Sequence, residues 1–196
     1  MLIVTNWMKR KILMLKLAFT FFNSNGGSRR AKIIKRSGLF HAFGENNYWH
    51  PNKIPADLSV VSIGSNVTVC ADVDFVTHDL AFLLFNQSTY FDTSRNKAKY
   101  YFDKIVVDDD VMIGAHSVIM YGVHIKSNSI IAAGSVVTKD VESGTIVGGN
   151  PARVIGETGK LFEKRMKLQE DRDFGNNDVE AINRYFWSEK NDWRLY

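Results

Sequence analysis

Five histidines and one cysteine supply the side chains of this 196-residue chain that can exchange protons or act as nucleophiles near neutral pH. His78 is set apart by its position. It follows residues that keep a six-residue beat and opens a stretch, from about 79 to 100, that does not. An imidazole with a pKa of about 6.5 can take a proton from a weakly acidic hydroxyl and return it later. That chemistry makes His78 a candidate general base, beside the plainer role of a turn histidine. Asp79 suits orienting the ring, contacting a bound molecule or capping the loop. His116 and His124 lie eight residues apart, at different places in a six-residue repeat. They project differently, so no zinc site is expected. Cys70 permits no internal disulfide and suits a reducing, cytoplasmic compartment. It reads as a small packed residue rather than an activated thiol, which would need a basic neighbour.

The beat itself comes from aliphatic residues at Val107, Ile113, Ile119, Ile125, Ile131 and Val137, with an earlier run at Ile63, Val69 and Phe75. Six matches neither the 3.6 period of a helix nor the alternation of a strand, so it implies stacked units that bury one another's apolar faces. The residue after the beat is often small (Gly64, Gly114, Ala132), and the fifth place holds Val67, Val73, Val111, Ser117, Val123, Ser129, Ser135 and Val141. Short strands separated by tight corners, each sending one large side chain inward, account for this pattern. Asn66, Asp109, Asn128 and Lys139 fall at the exposed intervening places. The two runs are out of step, because Ile63 and Ile113 are not separated by a multiple of six. The segment between them, with Phe82, Phe85, Tyr90 and Phe91, reads as a loop thrown out of the stack.

Charge divides the chain unevenly. Nine basic residues and no acidic ones precede Glu45, although the whole chain carries only +4. No nucleic-acid recognition motif accompanies this basic segment, so nucleic acid is not an expected partner. Lys9, Arg10, Lys11 and Lys16 interrupt its apolar residues, which excludes an unbroken span of the 18 or so that cross a membrane. As a helix it would set Ile3, Trp7, Met14, Ala18 and Phe21 on one side, either packed on the body or in peripheral contact with an anionic membrane surface. Asn23 to Ser28 reads as a turn. Leu161–Gln169 and Val179–Trp187 have helical spacing and suit a cap on the last repeat.

The stretches IGSNV at 63–67, IGAHSVIMYGVHI at 113–125, IAAGSVVTKDV at 131–141 and GGNPARVI at 148–155 resemble the hexapeptide-repeat acyltransferases. Within them the chain is most similar to the galactoside, maltose and xenobiotic acetyltransferases and to polysaccharide O-acetyltransferases, densely from about 40 to 156. The resemblance implies a mainly β fold, a left-handed parallel β-helix. Residues 1–36 would form a basic helical N-terminal segment, 37–156 the β-helix with an extruded loop at 79–100, and 157–196 a C-terminal helical extension. It implies a homotrimer with active sites between subunits, and acetyl-CoA as acetyl donor. In the xenobiotic and polysaccharide enzymes the catalytic histidine sits at the root of such a loop, the place of His78. Ala115, Ala133, Thr138, Lys139 and Arg153 match positions that contact the donor, with Lys139 and Arg153 as cations for its phosphates. The implied reaction is acetyl transfer to a saccharide hydroxyl, in surface polysaccharide synthesis. An amino sugar or a drug acceptor is the alternative. The family's acceptor-binding Asn has no assigned counterpart among Asn46, Asn47 and Asn52.

Overall fold

The structure is a computed structural model that describes residues 6–19, 26–169 and 178–187. In it the six-residue beat becomes successive short strands of a parallel coil. The first turn holds β1 (Ala42–Phe43) and β2 (Tyr48–Trp49), with a 3-10 turn at Leu58–Val60 in place of its third strand. The second turn holds β3 (Val61–Ile63), β4 (Thr68–Val69) and β5 (Asp74–Val76). The chain then leaves the coil through β6 (His78–Asp79), α3 (Ala81–Gln87) and β7 (Tyr101–Phe102). It returns for β8 (Ile105–Val107), β9 (Met112–Ile113) and β10 (Val118–Met120), then β11 (His124–Ile125), β12 (Ile130–Ile131) and β13 (Val136–Val137). The hairpin β14 (Thr145–Gly148) and β15 (Arg153–Glu157) ends it.

Three sheets result, ordered β1-β3-β8-β11, β2-β4-β9-β12-β14-β15 and β5-β10-β13. All of these pairings are parallel except β14 with β15. The register stacks beat on beat, with Ile63 on Val107, Ile113 on Ile131 and Phe75 on Ile119. The aliphatic beat residues are buried, as are the fifth-place residues Val67, Val111, Ser117, Ser129 and Ser135. Each fully buried Ile or Val contributes roughly 1.5–3 kcal/mol. The buried serines cost little because each hydroxyl donates to a corner carbonyl: Ser117 and Ser135 to Ala132, Ser129 to Lys126. At the first turn the missing strand is replaced in the core by aromatic packing, with Trp49 stacked 5.5 Å from Phe75 and edge-on to Phe40.

The corners have a backbone signature. Three residues after a beat position, Asn46, Asn66, Asp72, Asp110, His116 and Asn128 take φ of 53–61°, and Gly122 and Gly134 occupy the same place. This left-handed conformation costs most L-residues about 1–2 kcal/mol and Asn, Asp or Gly less. The glycine after the beat answers a different demand. A Cβ on Gly114 would lie 2.5 Å from the Ala133 nitrogen of the next coil. After Val137 the corner is shorter than the beat requires, and Val141 bridges to Ile125.

Two helices precede the coil, α1 (Asn6–Ala18) and α2 (Gly26–Ser37). Gly27 lets α2 approach the Tyr48 ring at the edge of the second sheet. The buried Arg30 of α2 donates to Asn52 Oδ1 at 2.8 Å and to the Pro51 carbonyl at 2.5 Å. Covering this edge strand removes an open pairing surface. The side of α1 that packs is Leu13 and Leu17, not Trp7 and Met14, which are exposed. Apolar residues surround most of this helix, so counting them favoured the wider stripe over the one that is buried. Ile3 and Phe21, assigned to that stripe, lie outside the described residues.

The chain forms two compact units, Met1–Thr158 and Gly159–Tyr196. Beyond the first unit run α4 (Thr158–Gln169), which starts at its last residue, and α5 (Val179–Trp187). Asp178 Oδ1 accepts from the Ala181 nitrogen at 2.9 Å, an N-cap that fixes where α5 begins. Among the described residues no helix is long and apolar enough to cross a membrane.

Candidate active site

His78 stands where β5 gives way to the excursion, and its backbone is held from both sides. Thr77, 1% exposed, accepts the Asp103 nitrogen through its carbonyl at 3.1 Å, and His78 pairs with Phe102 across the β6–β7 ribbon. The ring is fixed in turn. Its Nδ1 lies 2.8 Å from Oδ2 of Asp57, which also accepts the Thr77 hydroxyl at 2.7 Å. Tyr100 closes over the ring at 4.9 Å between centroids.

A carboxylate on Nδ1 places the ring proton there and leaves the Nε2 lone pair free to accept another. Among the described residues Nε2 makes no hydrogen bond. Partial burial by itself would raise the Asp57 carboxyl. The hydrogen bonds from Thr77 and His78, with the charges of His78 and Arg10, outweigh it and hold Asp57 below the usual carboxylate range. Arg10 reaches this region from α1, where it donates to the Ala56 carbonyl. Desolvation first, and the Asp57 carboxylate second, push the Tyr100 phenol up. The site is therefore an imidazole oriented by a stable anion, with one open nitrogen.

Asp79 does not orient the ring. Its Oδ1 accepts the Ala81 nitrogen at 2.9 Å in the turn that leads into α3, while Oδ2 accepts the Tyr121 hydroxyl at 2.9 Å. Asp57 was missed in the sequence because it lies 21 residues before His78 in the least regular turn. The available signal was the stacking distance. Phe43 pairs with Ile63 and Trp49 with Val69, so one early turn takes 20 residues and brings the neighbourhood of Asp57 onto Thr77 and His78.

The five residues expected to meet the donor fall at separate places. Ala115 and Ala133 follow β9 and β12, at the corner leading into the third sheet, where Gly134 donates to the Ala115 carbonyl at 2.8 Å. Thr138 and Lys139 follow β13, at the corner leading out of that sheet. His78 and Tyr121 stand on the same outgoing corner after β5 and β10. With neighbouring strands about 4.8 Å apart, Lys139 is two levels, or about 10 Å, along the prism from His78. Arg153 begins β15, its guanidinium exposed and donating to the Ala152 carbonyl at 2.8 Å. Lys139 makes no ion pair among the described residues.

The other polar candidates have structural work. His116 is a left-handed corner residue 3.9 Å from Asp72, and His124 Nε2 pairs with Asp108 at 2.9 Å. Among the described residues no cluster of three His, Cys, Asp or Glu can hold a metal ion. Burial pushes the Cys70 thiol up, the opposite of activation. Asn46 is a left-handed corner, Asn47 bonds Gly64 and Val67 of the next turn, and Asn52 receives Arg30.

Residues 104–139 match the bacterial transferase hexapeptide (six repeats) family. A 64-residue stretch is 41% identical to the 2,3,4,5-tetrahydropyridine-2,6-dicarboxylate N-acetyltransferase of Staphylococcus aureus (strain bovine RF122 / ET3-1), covering 33% of this chain and 27% of that protein. The chain thus spans about a quarter of the length of the curated relatives it matches. A galactoside acetyltransferase in complex with coenzyme A superposes over 81% of this chain and 83% of its own, with 25% identity and a TM-score of 0.55. A maltose O-acetyltransferase from Clostridium difficile 630 covers 78% and 87%, with 24% identity and a TM-score of 0.52. The similarity to hexapeptide-repeat acetyltransferases read from the sequence is thereby found again in the fold.

Proposed function

We propose that the chain is an acetyl-CoA-dependent O-acetyltransferase built on a left-handed β-helix, with His78 as general base and a saccharide hydroxyl as acceptor. The observation that carries this reading is the His78–Asp57 pair, which leaves Nε2 open at the root of a loop leaving a hexapeptide coil. His78 Nε2 takes the hydroxyl proton as the acceptor oxygen attacks the thioester carbonyl. The resulting imidazolium, held by Asp57, then gives that proton to the departing thiolate. The acetyl group moves from sulfur to oxygen and no redox change occurs. Surface polysaccharide synthesis in the cytoplasm, at the inner membrane face, is the setting we assign to it.

The donor site in this reading lies along the small-residue corner of Ala115 and Ala133, with Thr138 beside Lys139 and with Lys139 and Arg153 answering the nucleotide phosphates. The fit is physical. The corner is narrow, since Gly114 admits no Cβ against Ala133, and Lys139 has no ion-pair partner among the described residues. Within one prism the alanine corner and the His78–Lys139 corner are separated by a strand of the third sheet. A homotrimer that sets the first corner of one copy against the second corner of its neighbour joins them. The S. aureus relative, an N-acetyltransferase by name, supports a second reading in which the acceptor is an amine.

Thiol release from acetyl-CoA with a panel of sugars and amino sugars tests both. Sugar-dependent release that collapses in His78→Ala supports the first reading. Release only with amines supports the second, and acceptor-dependent release unchanged in His78→Ala removes His78 as the base.

A further inference from the structure

Helix α1 presents to solvent a face that the coil does not use. Leu13 and Leu17 are its seam with the body, each 2% exposed. At 100° per residue, Leu15 lies diametrically opposite that seam, with Trp7, Ile12 and Phe19 on the same outer side. Trp7 is 64% exposed, Leu15 62% and Phe19 79%. Lys11 crosses the middle of this face and lays its ammonium 4.0 Å over the Trp7 ring. Beside the face runs a groove between α1 and α2 of about 310 Å³, floored by Ile12, Leu13 and Ile33 and edged by Lys9, Lys16 and Arg36. None of these three cations has an ion-pair partner among the described residues.

From this juxtaposition we infer that α1 docks the protein on an anionic phospholipid bilayer, with its outer face in the acyl boundary and the Lys9–Lys16–Arg36 groove around lipid phosphates. The chemistry matches a helix lying in the membrane plane: a broad apolar side, Trp and Lys at the polar boundary, and flanking cations. Charge favours this occupant over a second copy of α1. Two such faces packed together would bring Lys9 and Lys16 of one copy near those of the other. Anionic headgroups neutralise the same lysines. The inference goes beyond acetyl transfer and stands without it, because no residue assigned to the donor or to His78 takes part.

The test is sedimentation of the full-length protein with vesicles of phosphatidylcholine alone and of an equimolar phosphatidylcholine–phosphatidylglycerol mixture. Binding is expected to the mixed vesicles, to fall as salt is raised, to resist competition by inorganic phosphate, and to be at least tenfold weaker on neutral ones. Replacing Lys9, Lys16 and Arg36 together by Gln should weaken binding roughly a hundredfold, at about fivefold per basic residue near a charged surface. Leu15→Glu with Phe19→Glu should abolish it. All these side chains except Arg36 lie on α1 and all project outward, so thermal unfolding, followed in parallel, should not change. Absence of binding to the mixed vesicles would overturn the inference. So would equal binding to neutral vesicles, release by free phosphate, or binding unaffected by both variants. A change of oligomeric mass in the Leu15→Glu, Phe19→Glu protein would overturn it in favour of a contact between copies.

Discussion

Replacing Asp57 by Asn keeps the shape of the side chain and removes its charge, which tests whether the carboxylate positions His78. The bond at stake is charge-assisted, 2.8 Å from Nδ1 to Oδ2. Such bonds contribute about 1.5–3 kcal/mol. The two side chains are 27% and 34% exposed, so water screens part of this and the lower end, about 1.5–2 kcal/mol, applies. At about 1.4 kcal/mol per factor of ten, kcat should fall roughly 10- to 30-fold from lost orientation alone. A second loss adds to it. The amide of Asn can donate to Nδ1, which moves the ring proton to Nε2 and removes the open lone pair that the proposed proton transfer requires. Asp57→Asn should therefore be slower than Asp57→Ala, an order opposite to what volume or packing would give. The assay is thiol release at saturating acceptor, with KM for acetyl-CoA expected to stay within about twofold of wild type. In a His78→Ala background Asp57→Asn should cost little more, since the pair acts as one unit. Equal losses in the two backgrounds, or a kcat above half of wild type, would refute the positioning role.

The lowered Asp57 carboxyl also sets a pH dependence. A group whose folded pKa lies below its ordinary value of about 3.9 adds stability above that value, and this is lost as pH falls through it toward the folded pKa. Urea midpoints at pH 6 and pH 3 should differ less in Asp57→Asn than in wild type. Gly114→Ala forces a Cβ to 2.5 Å from the Ala133 backbone and should destabilise by about 1–3 kcal/mol, read as a Tm lower by several degrees. His116→Val puts a β-branched residue at φ 59° and should cost about 1–2 kcal/mol, whereas His116→Gly should not destabilise, and neither should alter thiol release. Lys139→Ala should raise KM for acetyl-CoA about fivefold or more with kcat nearly unchanged, and an unchanged KM would remove Lys139 from the donor site.

The beat residues are readable in the sequence because each faces the same demand: one large side chain per short strand, inside a prism of fixed width. Ile119 and Ile131 are fully buried for that reason. Corner polarity was visible too, but not the reason for it, which is a left-handed φ at Asn66, Asp110 and Asn128. His116 obeys the same rule, and its backbone role explains a histidine that otherwise invites a metal reading. The excursion was legible as a break in step, yet its inner structure was not. Neither α3 nor the mutual Asn86–Ala98 bonds arise from periodicity. His78 was recognisable as a candidate, while Asp57 was hidden because its relation to His78 exists only once the coil has closed a turn. The donor candidates divided between corners for a similar reason: a linear motif lists neighbours in sequence, and the coil sends adjacent hexads to different sides.

The departure of the chain at Thr77 also bears on how the coil assembles. Elsewhere a new level closes a loop of about one turn, as when Ile125 settles on Val107. At the excursion the level below is already 44 residues away, the separation between Ser65 and its partner Asp109. Closing that longer loop costs about 0.8 kcal/mol more in chain entropy than closing an eighteen-residue one. In a stack held by nearest-neighbour contacts, such a step is a seam between two foldable blocks. Each block closes loops of similar length within itself, Trp49 to Val69 on one side and Val107 to Ile125 on the other, and the long step lies only between them. His78 and Asp57 both lie on the N-terminal side of this seam, so their pair forms as that block closes its own 20-residue turn, independently of the block that follows.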